Sequence, residues 1–250
     1  FNPVGAMRLV EIAGTPDTAP GVLLAAHAFC KNIGKTPVDV GPSPGYVVNR
    51  LLTPMLLHAI ETLESGVATP EAIDTAMKLG AAHPMGPLAL ADLIGLDVVL
   101  SMATTLKREL GDKRYRAPSL LRRLVLAGDL GRKSGRGFYE YKKGKPVKQK
   151  VATGNWNLEE ITNRLIFRLL NESVCCVREH VVESDELLDA GMIFCTGFAP
   201  FRGGPMQHID AVGAAVIRQQ LQALKSLRGE RFTPDNGWNT LMQSSGGSTA

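Results

Sequence analysis

The chain has 250 residues, 44% of them apolar and 21% charged, with a net charge of +4. This is ordinary globular composition with room for one large domain or two to three small ones, and no stretch approaches the roughly 18 apolar residues of a membrane helix. The absence of a Lys/Arg stripe with interleaved aromatics argues against nucleic-acid binding, and Cys30, Cys175, Cys176 and Cys195 form neither a CxxC pair nor a metal-ligand spacing with His, so buried reduced thiols in an intracellular protein are expected.

Residues 1–41 read as strand, helix, strand. "MRLVEIAG" is the first strand, and Asp17-Thr18 with Pro20 supply a helix start. "GVLLAAHAFCKNIG" has helical apolar spacing and stops at Gly34, and "KTPVDVG" is the second strand. Such a unit is half of a parallel α/β sheet, and two strands do not make a sheet that stands alone. Residues 1–42 are therefore expected to be the tail of a larger domain.

The breaker cluster "GPSPG" (41–45) ends that pattern, and helices follow. "YVVNRLLTPMLLHAIETLESG" is apolar on most faces, with Pro54 expected to kink it. Thr69-Pro70 caps and opens "EAIDTAMKLG". "HPMGP" makes a turn, "LALADLIGLDVVLSMATTLKREL" supplies two helices broken near Gly95, and "PSLLRRLVLAG" is another short one. "LGRKSGRGFYEY" closes the segment as a glycine-rich turn and an extended tail, and the Lys-rich residues 142–156 read as a solvated linker.

Beyond the linker the chain repeats itself. "VNRLL" (48–52) returns as "TNRLI" (162–166), "EAIDTAMKLG" (71–80) as "ELLDAGMIFC" (186–195), and "GPLALADLIG" (86–95) as "GPMQHIDAVG" (204–213). Asp74 matches Asp189 and Met77 matches Met192, while the offset drifts from 114 to 118 residues. Two copies so far apart predict a duplicated helical domain, residues 43–141 and 157–250, rather than a solenoid.

Individual chemical signals are modest. Glu11 closes an apolar strand, where α/β sheets place their ligands, or is a solvated loop acid. Asn2 lies in a turn with Pro3. Asn49 falls in the first turn of a helix and either reaches a ligand or serves structure. "GRKSGRG" (131–137) follows a helix and lacks the order of a phosphate loop, although Lys133 could still offer a point charge to an anion. His27, His58, His83, His180 and His208 have no partner at metal or triad spacing, and no G-x-S-x-G element is present.

Taken in order, "FNPV…MRLVEI", "KTPVDV…SPGYVVNRLL", "DTAMKLGAAHPMGPLALADLIGLD" and "LGRKSGRGFYEY" resemble the 3-hydroxyacyl-CoA dehydrogenase family. "CTGFAPFRGGPM" (195–206) resembles the extra C-terminal domain of multifunctional fatty-acid β-oxidation α-subunits. The resemblance implies a mainly α fold, with the tail of a Rossmann-type domain followed by two tandem all-α domains. It implies NAD as cofactor, its main site lying outside these residues, and an acyl-CoA substrate. It makes Glu11 the carboxylate that orients a general-base His, places Asn2 and Lys133 at the cofactor, and places Asn49 and Phe194 at the substrate. That His belongs to a His-Phe-Phe-Asn-Pro turn, two positions before the residue matching Phe1, so the segment by itself is expected to lack the base and to be inactive.

The expected activity of the parent protein is NAD-dependent oxidation of an L-3-hydroxyacyl-CoA to the 3-ketoacyl-CoA, in a cytoplasmic hydratase/dehydrogenase that meets a thiolase β-subunit. The second helical copy is expected to pack on the first as an intramolecular pseudo-dimer. Two other readings stay open: a non-catalytic assembly module, and a β-hydroxyacid dehydrogenase acting on a small free acid. "HPMGPLALAD" and "GRKSGRGFY" argue against the latter.

Overall fold

The computed structural model describes residues 4–111, 113–147 and 154–246; Asn2 lies outside the described residues. The architecture is mainly α, with a short parallel βαβ unit at its start, as the sequence predicts. The chain packs as two compact units, residues 1–51 with 170–250, and residues 52–169. This grouping cuts across the sequential boundaries proposed above, because two long helices, α2 (Val48–Glu64) and α7 (Leu158–Arg178), each pass from one unit into the other.

In the first unit, β1 (Leu9–Ala13) pairs in parallel with β2 (Thr36–Val40), in a register running from Leu9↔Thr36 to Ala13↔Val40. Leu9, Ile12, Val38 and Val40 are buried, the reason this short β-rich segment holds its register. The crossover is α1 (Pro20–Asn32), whose N-cap is Ala19, without a side-chain cap. Of the expected helix start, Asp17-Thr18 with Pro20, Pro20 opens the helix with its fixed φ. Thr18 belongs to the preceding turn and accepts a hydrogen bond from the Thr15 amide at 3.0 Å.

The rest of this unit comprises the C-terminal part of α7 with α8 (Asp185–Thr196), α9 (Pro205–Val212), α10 (Ala214–Arg228) and α11 (Gly237–Gly246). Asn171 fastens α7 to the segment before α11. Its Nδ2 donates to the Thr233 carbonyl at 3.0 Å, and its Oδ1 accepts from the Asp235 amide at 2.9 Å and from Trp238 Nε1 at 2.8 Å. Both Trp238 and Asn171 are fully enclosed, so a single buried amide satisfies three polar groups at once.

The second unit holds the remainder of α2, then α3 (Pro70–Gly80), α4 (Pro87–Ile94), α5 (Leu96–Leu110) and α6 (Ser119–Leu126). α2 is one continuous element with Pro54 inside it. α4 and α5 meet at Gly95 with φ 103° and ψ 126°, the break expected there, and α9 and α10 meet at Gly213 with φ 97° and ψ 121°. Positive φ of this size requires glycine. Residues read as linker open with a two-residue antiparallel pair, β3 (Tyr141–Lys142) with β4 (Lys145–Pro146); residues 148–153 lie outside the described ones.

His58 is buried in this unit, its Nδ1 2.9 Å from Glu61 Oε2. Burial pushes its pKa down to about 4; Glu61 opposes that, while Arg164 and Arg168 add to it. The unfolded imidazole titrates near 6.5, so between those values the folded state binds fewer protons than the unfolded one. The stability contributed is therefore complete above pH 6.5 and is lost as pH falls toward 4, about 3 kcal/mol in all. Asp74, raised to about 6 chiefly by burial, has the opposite sign over pH 4 to 6. Comparison with His58→Gln, which keeps a donor for Glu61, isolates the histidine. Urea midpoints of the variant should fall less steeply than those of the wild type from pH 7 to pH 4, and parallel curves would show that His58 does not carry the effect.

Candidate functional site

Glu11 is half-buried and stands third of the five residues of β1, so it neither closes the strand, as expected above, nor is a solvated loop acid: the parallel ladder with β2 continues through Ile12 and Ala13. The amides of Val47 and Val48, at the start of α2, donate to its Oε1 at 2.9 and 3.0 Å. Free N–H groups at a helix start favour an anion. Burial nevertheless dominates and lifts the Glu11 carboxyl above its ordinary range, with the two amides pulling the other way. Both bonds fall on one oxygen. Among the described residues no hydrogen bond reaches Oε2, which leaves that oxygen available to orient a second group.

Asn49 follows in the first turn of α2 and is half-buried. α8 packs on β1, with Gly191 beside Leu9. Its last turn carries Phe194, 42% exposed, and Cys195, whose thiol is pushed up to about 12 by burial and then by the charge of Glu11. Within one unit β1 thus carries Glu11 between the amides at the start of α2 and the helix α8 that bears Phe194, while Asn49 stands one residue past those amides in α2. Lys133 belongs to the other unit. Its Nζ donates to both oxygens of Asp97, at 2.5 and 2.7 Å, which holds the Asp97 carboxyl below its ordinary range.

Three aspartates carry more of the local architecture than the sequence reading recognised. Asp74 of α3 caps α4, accepting from Leu88 N at 2.8 Å and Ala89 N at 3.0 Å, and also from the Tyr139 hydroxyl at 2.8 Å. Asp189 of α8 caps α9 in the same way, accepting from Met206 N at 2.7 Å and Gln207 N at 3.0 Å. A Cβ on Gly86 would stand 2.2 Å from Asp74, and one on Gly204 2.3 Å from Asp189, so the glycine before each Pro is required by close approach. The recurrence of Asp and Gly-Pro in the two segments was visible in the sequence, but only as a marker of repetition.

Asp92 organises "GRKSGRGFYEY". Its Oδ1 accepts from Phe138 N and its Oδ2 from Tyr139 N and the Tyr141 hydroxyl, each at 3.0 Å. The glycines of this turn admit the carboxylate: a Cβ on Gly137 would lie 2.1 Å from Asp92 Oδ1. That is a structural account of a motif that superficially invites a phosphate-loop reading. The one signal for it was an Asp in the otherwise apolar "LALADLIG".

Residues 1–43 match the family model for the 3-hydroxyacyl-CoA dehydrogenase NAD binding domain, and residues 45–141 match that for the C-terminal domain of the same enzymes. The chain belongs to the 3-hydroxyacyl-CoA dehydrogenase family. Within the family it is 35% identical over 257 residues to the fatty acid oxidation complex subunit alpha of Idiomarina loihiensis, an alignment covering 96% of this chain and 36% of that protein. It is 52% identical over 143 residues to the 3-hydroxybutyryl-CoA dehydrogenase of Clostridioides difficile, covering 57% of this chain and 51% of the relative. The chain therefore spans about a third to a half of the length of the curated relatives it matches. A solved 3-hydroxybutyryl-CoA dehydrogenase from Escherichia coli K12 superposes with a TM-score of 0.84 over 99% of this chain and 70% of its own, at 23% identity, which establishes likeness of fold. The (S)-3-hydroxybutyryl-CoA dehydrogenase of Ralstonia eutropha superposes with a TM-score of 0.56 at 50% identity, covering 57% of this 3-hydroxyacyl-CoA dehydrogenase-family chain and 50% of its own.

Proposed function

We propose that this chain forms the substrate side of an NAD-dependent L-3-hydroxyacyl-CoA dehydrogenase, oxidising the 3-hydroxyl of an acyl-CoA thioester to a ketone. The observation that carries the reading is Glu11: a half-buried carboxylate in the middle of β1, anchored through one oxygen by the start of α2, inside the segment that matches the NAD binding domain. Asn49 and Phe194 lie on the two helices that meet β1 and are its substrate contacts; Asn2 and Lys133 serve the cofactor.

The turn from β1 to α1 has a single glycine, Gly14, and so lacks the glycine spacing that cradles a pyrophosphate. What fits the dinucleotide here is the carboxyl edge of the parallel β1–β2 pair, at Ala13 and Val40, the side of such a sheet where ligands gather. NAD, when bound, takes the hydride that leaves C3. The hydroxyl proton passes to an imidazole oriented by Glu11, whose charge stabilises the resulting imidazolium.

The reading extends to the second helical segment as a duplicate of the first, supported by the paired caps at Asp74 and Asp189 and the paired breaks at Gly95 and Gly213. It takes the two segments as an intramolecular pseudo-dimer within a cytoplasmic multifunctional protein that also carries hydratase activity and joins a thiolase subunit. The α-subunit names of several relatives support this. No single helix among the described residues is long and apolar enough to cross a membrane.

The test compares (S)-3-hydroxybutyryl-CoA with free 3-hydroxybutyrate in the full-length protein, following NADH. Turnover of the thioester alone is expected. Equal turnover of the free acid would transfer the assignment to a small-acid dehydrogenase, and no turnover of either would favour an assembly role.

A further inference from the structure

We infer that Glu172 of α7 and Glu179, the residue after that helix, are positioning residues for Glu11, acting through Arg50 and the loop 41–47; this rests on the dehydrogenase reading above. Arg50 follows Asn49 in the first turn of α2, and its side chain is 2% exposed. Its Nε donates to Glu172 Oε1 at 2.9 Å. Its Nη2 donates to Glu179 Oε2 and, at 3.3 Å, to Cys175 Sγ. Nη1 donates to Ser43 Oγ at 3.1 Å, within the loop joining β2 to α2. A guanidinium is a planar fork of five donors, so fixing it on α7 and the residue just after that helix dictates where the remaining nitrogen holds the loop.

The same loop is fastened to the segment after α7 at its other end. Gly41 N donates to the Val181 carbonyl at 2.8 Å, and Val40 forms an antiparallel bridge with Val182. The loop then turns through Gly45 at φ 77° and Tyr46 at φ 48°, a conformation costly for a bulky residue unless its surroundings impose it. It ends at Val47 and Val48, whose amides hold Glu11 Oε1. Glu179 is itself held, accepting from Arg178 Nη2 at 2.8 Å, while Arg178 Nε donates to Asp235 at 2.7 Å. Arg50 thus ties α7 to the loop at Ser43, and the backbone of that loop leads to the two amides that hold the carboxylate proposed to orient the base.

A buried ion pair gains little stability over an apolar pair of similar volume, so geometry is the better account of why one stands here. Arg164 stands 114 residues after Arg50, and His58 stands 114 residues before Glu172, the spacing of the repeat at these helices. There Arg164 pairs with Glu160 at 3.8 Å, and the position matching Glu172 holds an imidazole, whose protonation Arg164 disfavours.

The experiment uses Ser43→Ala and Glu179→Gln in the full-length protein, with Glu11→Gln as reference. Neither variant strips the buried Arg50 of Glu172, so both are expected to fold. Each should lower kcat per folded molecule by about tenfold, the scale of a misplacement well under 1 Å. KM for the acyl-CoA should change less than about twofold, and Ser43→Thr, which keeps the hydroxyl, should restore most of the rate. A purely structural role would lower melting temperature and folded fraction without moving kcat per folded molecule. If Ser43→Ala and Glu179→Gln keep kcat within about twofold while Glu11→Gln is strongly impaired, the positioning role is overturned and the dehydrogenase reading stands. If Glu11→Gln is itself unimpaired, the dehydrogenase reading fails first.

Discussion

Replacing Glu11 by Gln should lower kcat/KM for 3-hydroxyacyl-CoA oxidation by about 10²–10⁴-fold, the scale of losing the partner that orients a general base. The substitution is informative because it separates two duties of one side chain. The amide oxygen of Gln can take the place of Oε1 and keep the Val47 and Val48 amides satisfied. Its NH₂ group then stands where Oε2 stood and offers a donor to an imidazole that needs an acceptor. The negative charge that favours the imidazolium is also gone. Thermal melting should therefore stay within a few degrees of wild type while turnover collapses. Glu11→Asp should do more harm to the fold, since a carboxylate one methylene shorter cannot hold both amides from the same place on β1. Steady-state kinetics on the full-length protein, with circular dichroism to establish folding, decide the matter. A Glu11→Gln rate within about threefold of wild type would remove Glu11 from the mechanism.

The second large effect concerns stability. Asp92→Ala should destabilise the protein by about 3–5 kcal/mol, because three partly buried donors lose their common, fully buried acceptor. Asp92 is fully buried, and the amides of Phe138 and Tyr139 and the Tyr141 hydroxyl all converge on it. Tyr139 and Tyr141 bracket the same stretch from two sides, since the Tyr139 hydroxyl donates to Asp74. Loss of Asp92 thus loosens the closing strand of the helical segment as well as the turn beneath it. Gly137→Ala should reproduce much of the effect from the other partner, by driving a methyl into the carboxylate. Urea titration would show a lowered midpoint, with a melting temperature lower by about 10 °C for a chain of this size. A loss below about 1 kcal/mol would mean that water or a rearranged backbone serves those donors instead.

The sequence was most legible where one local rule acts alone. Pro70 after Thr69, Gly95 between two apolar runs, and Gly34 past α1 all mark element ends in the structure, because a cap or a positive φ depends on one or two residues. It was less legible where partners lie far apart. Glu11 could be read as a strand-end acid or a loop acid, since nothing in "MRLVEIAG" announces that its oxygen meets amides 36 and 37 residues later. Arg50 passed without notice for the same reason, its carboxylates standing 122 and 129 residues away. In Asp17-Thr18 with Pro20, only Pro20 marks the first helical residue, and Thr18 is a turn residue before it. Phe194 entered through resemblance alone, and Lys133 as a point charge for an anion; the structure adds that the ammonium of Lys133 is held by Asp97.

Asp74 and Asp189 each grip the main chain of the helix they cap, and amide hydrogens are the same whatever side chain follows them. Leu88 and Ala89 could therefore be exchanged for Met206 and Gln207 without touching the bond. A hinge specified by one carboxylate, one glycine and one proline leaves nearly every neighbouring position free to drift. Two segments built on it can come to share few letters and still bend at the same place, and a designer could resurface either turn while leaving three residues alone.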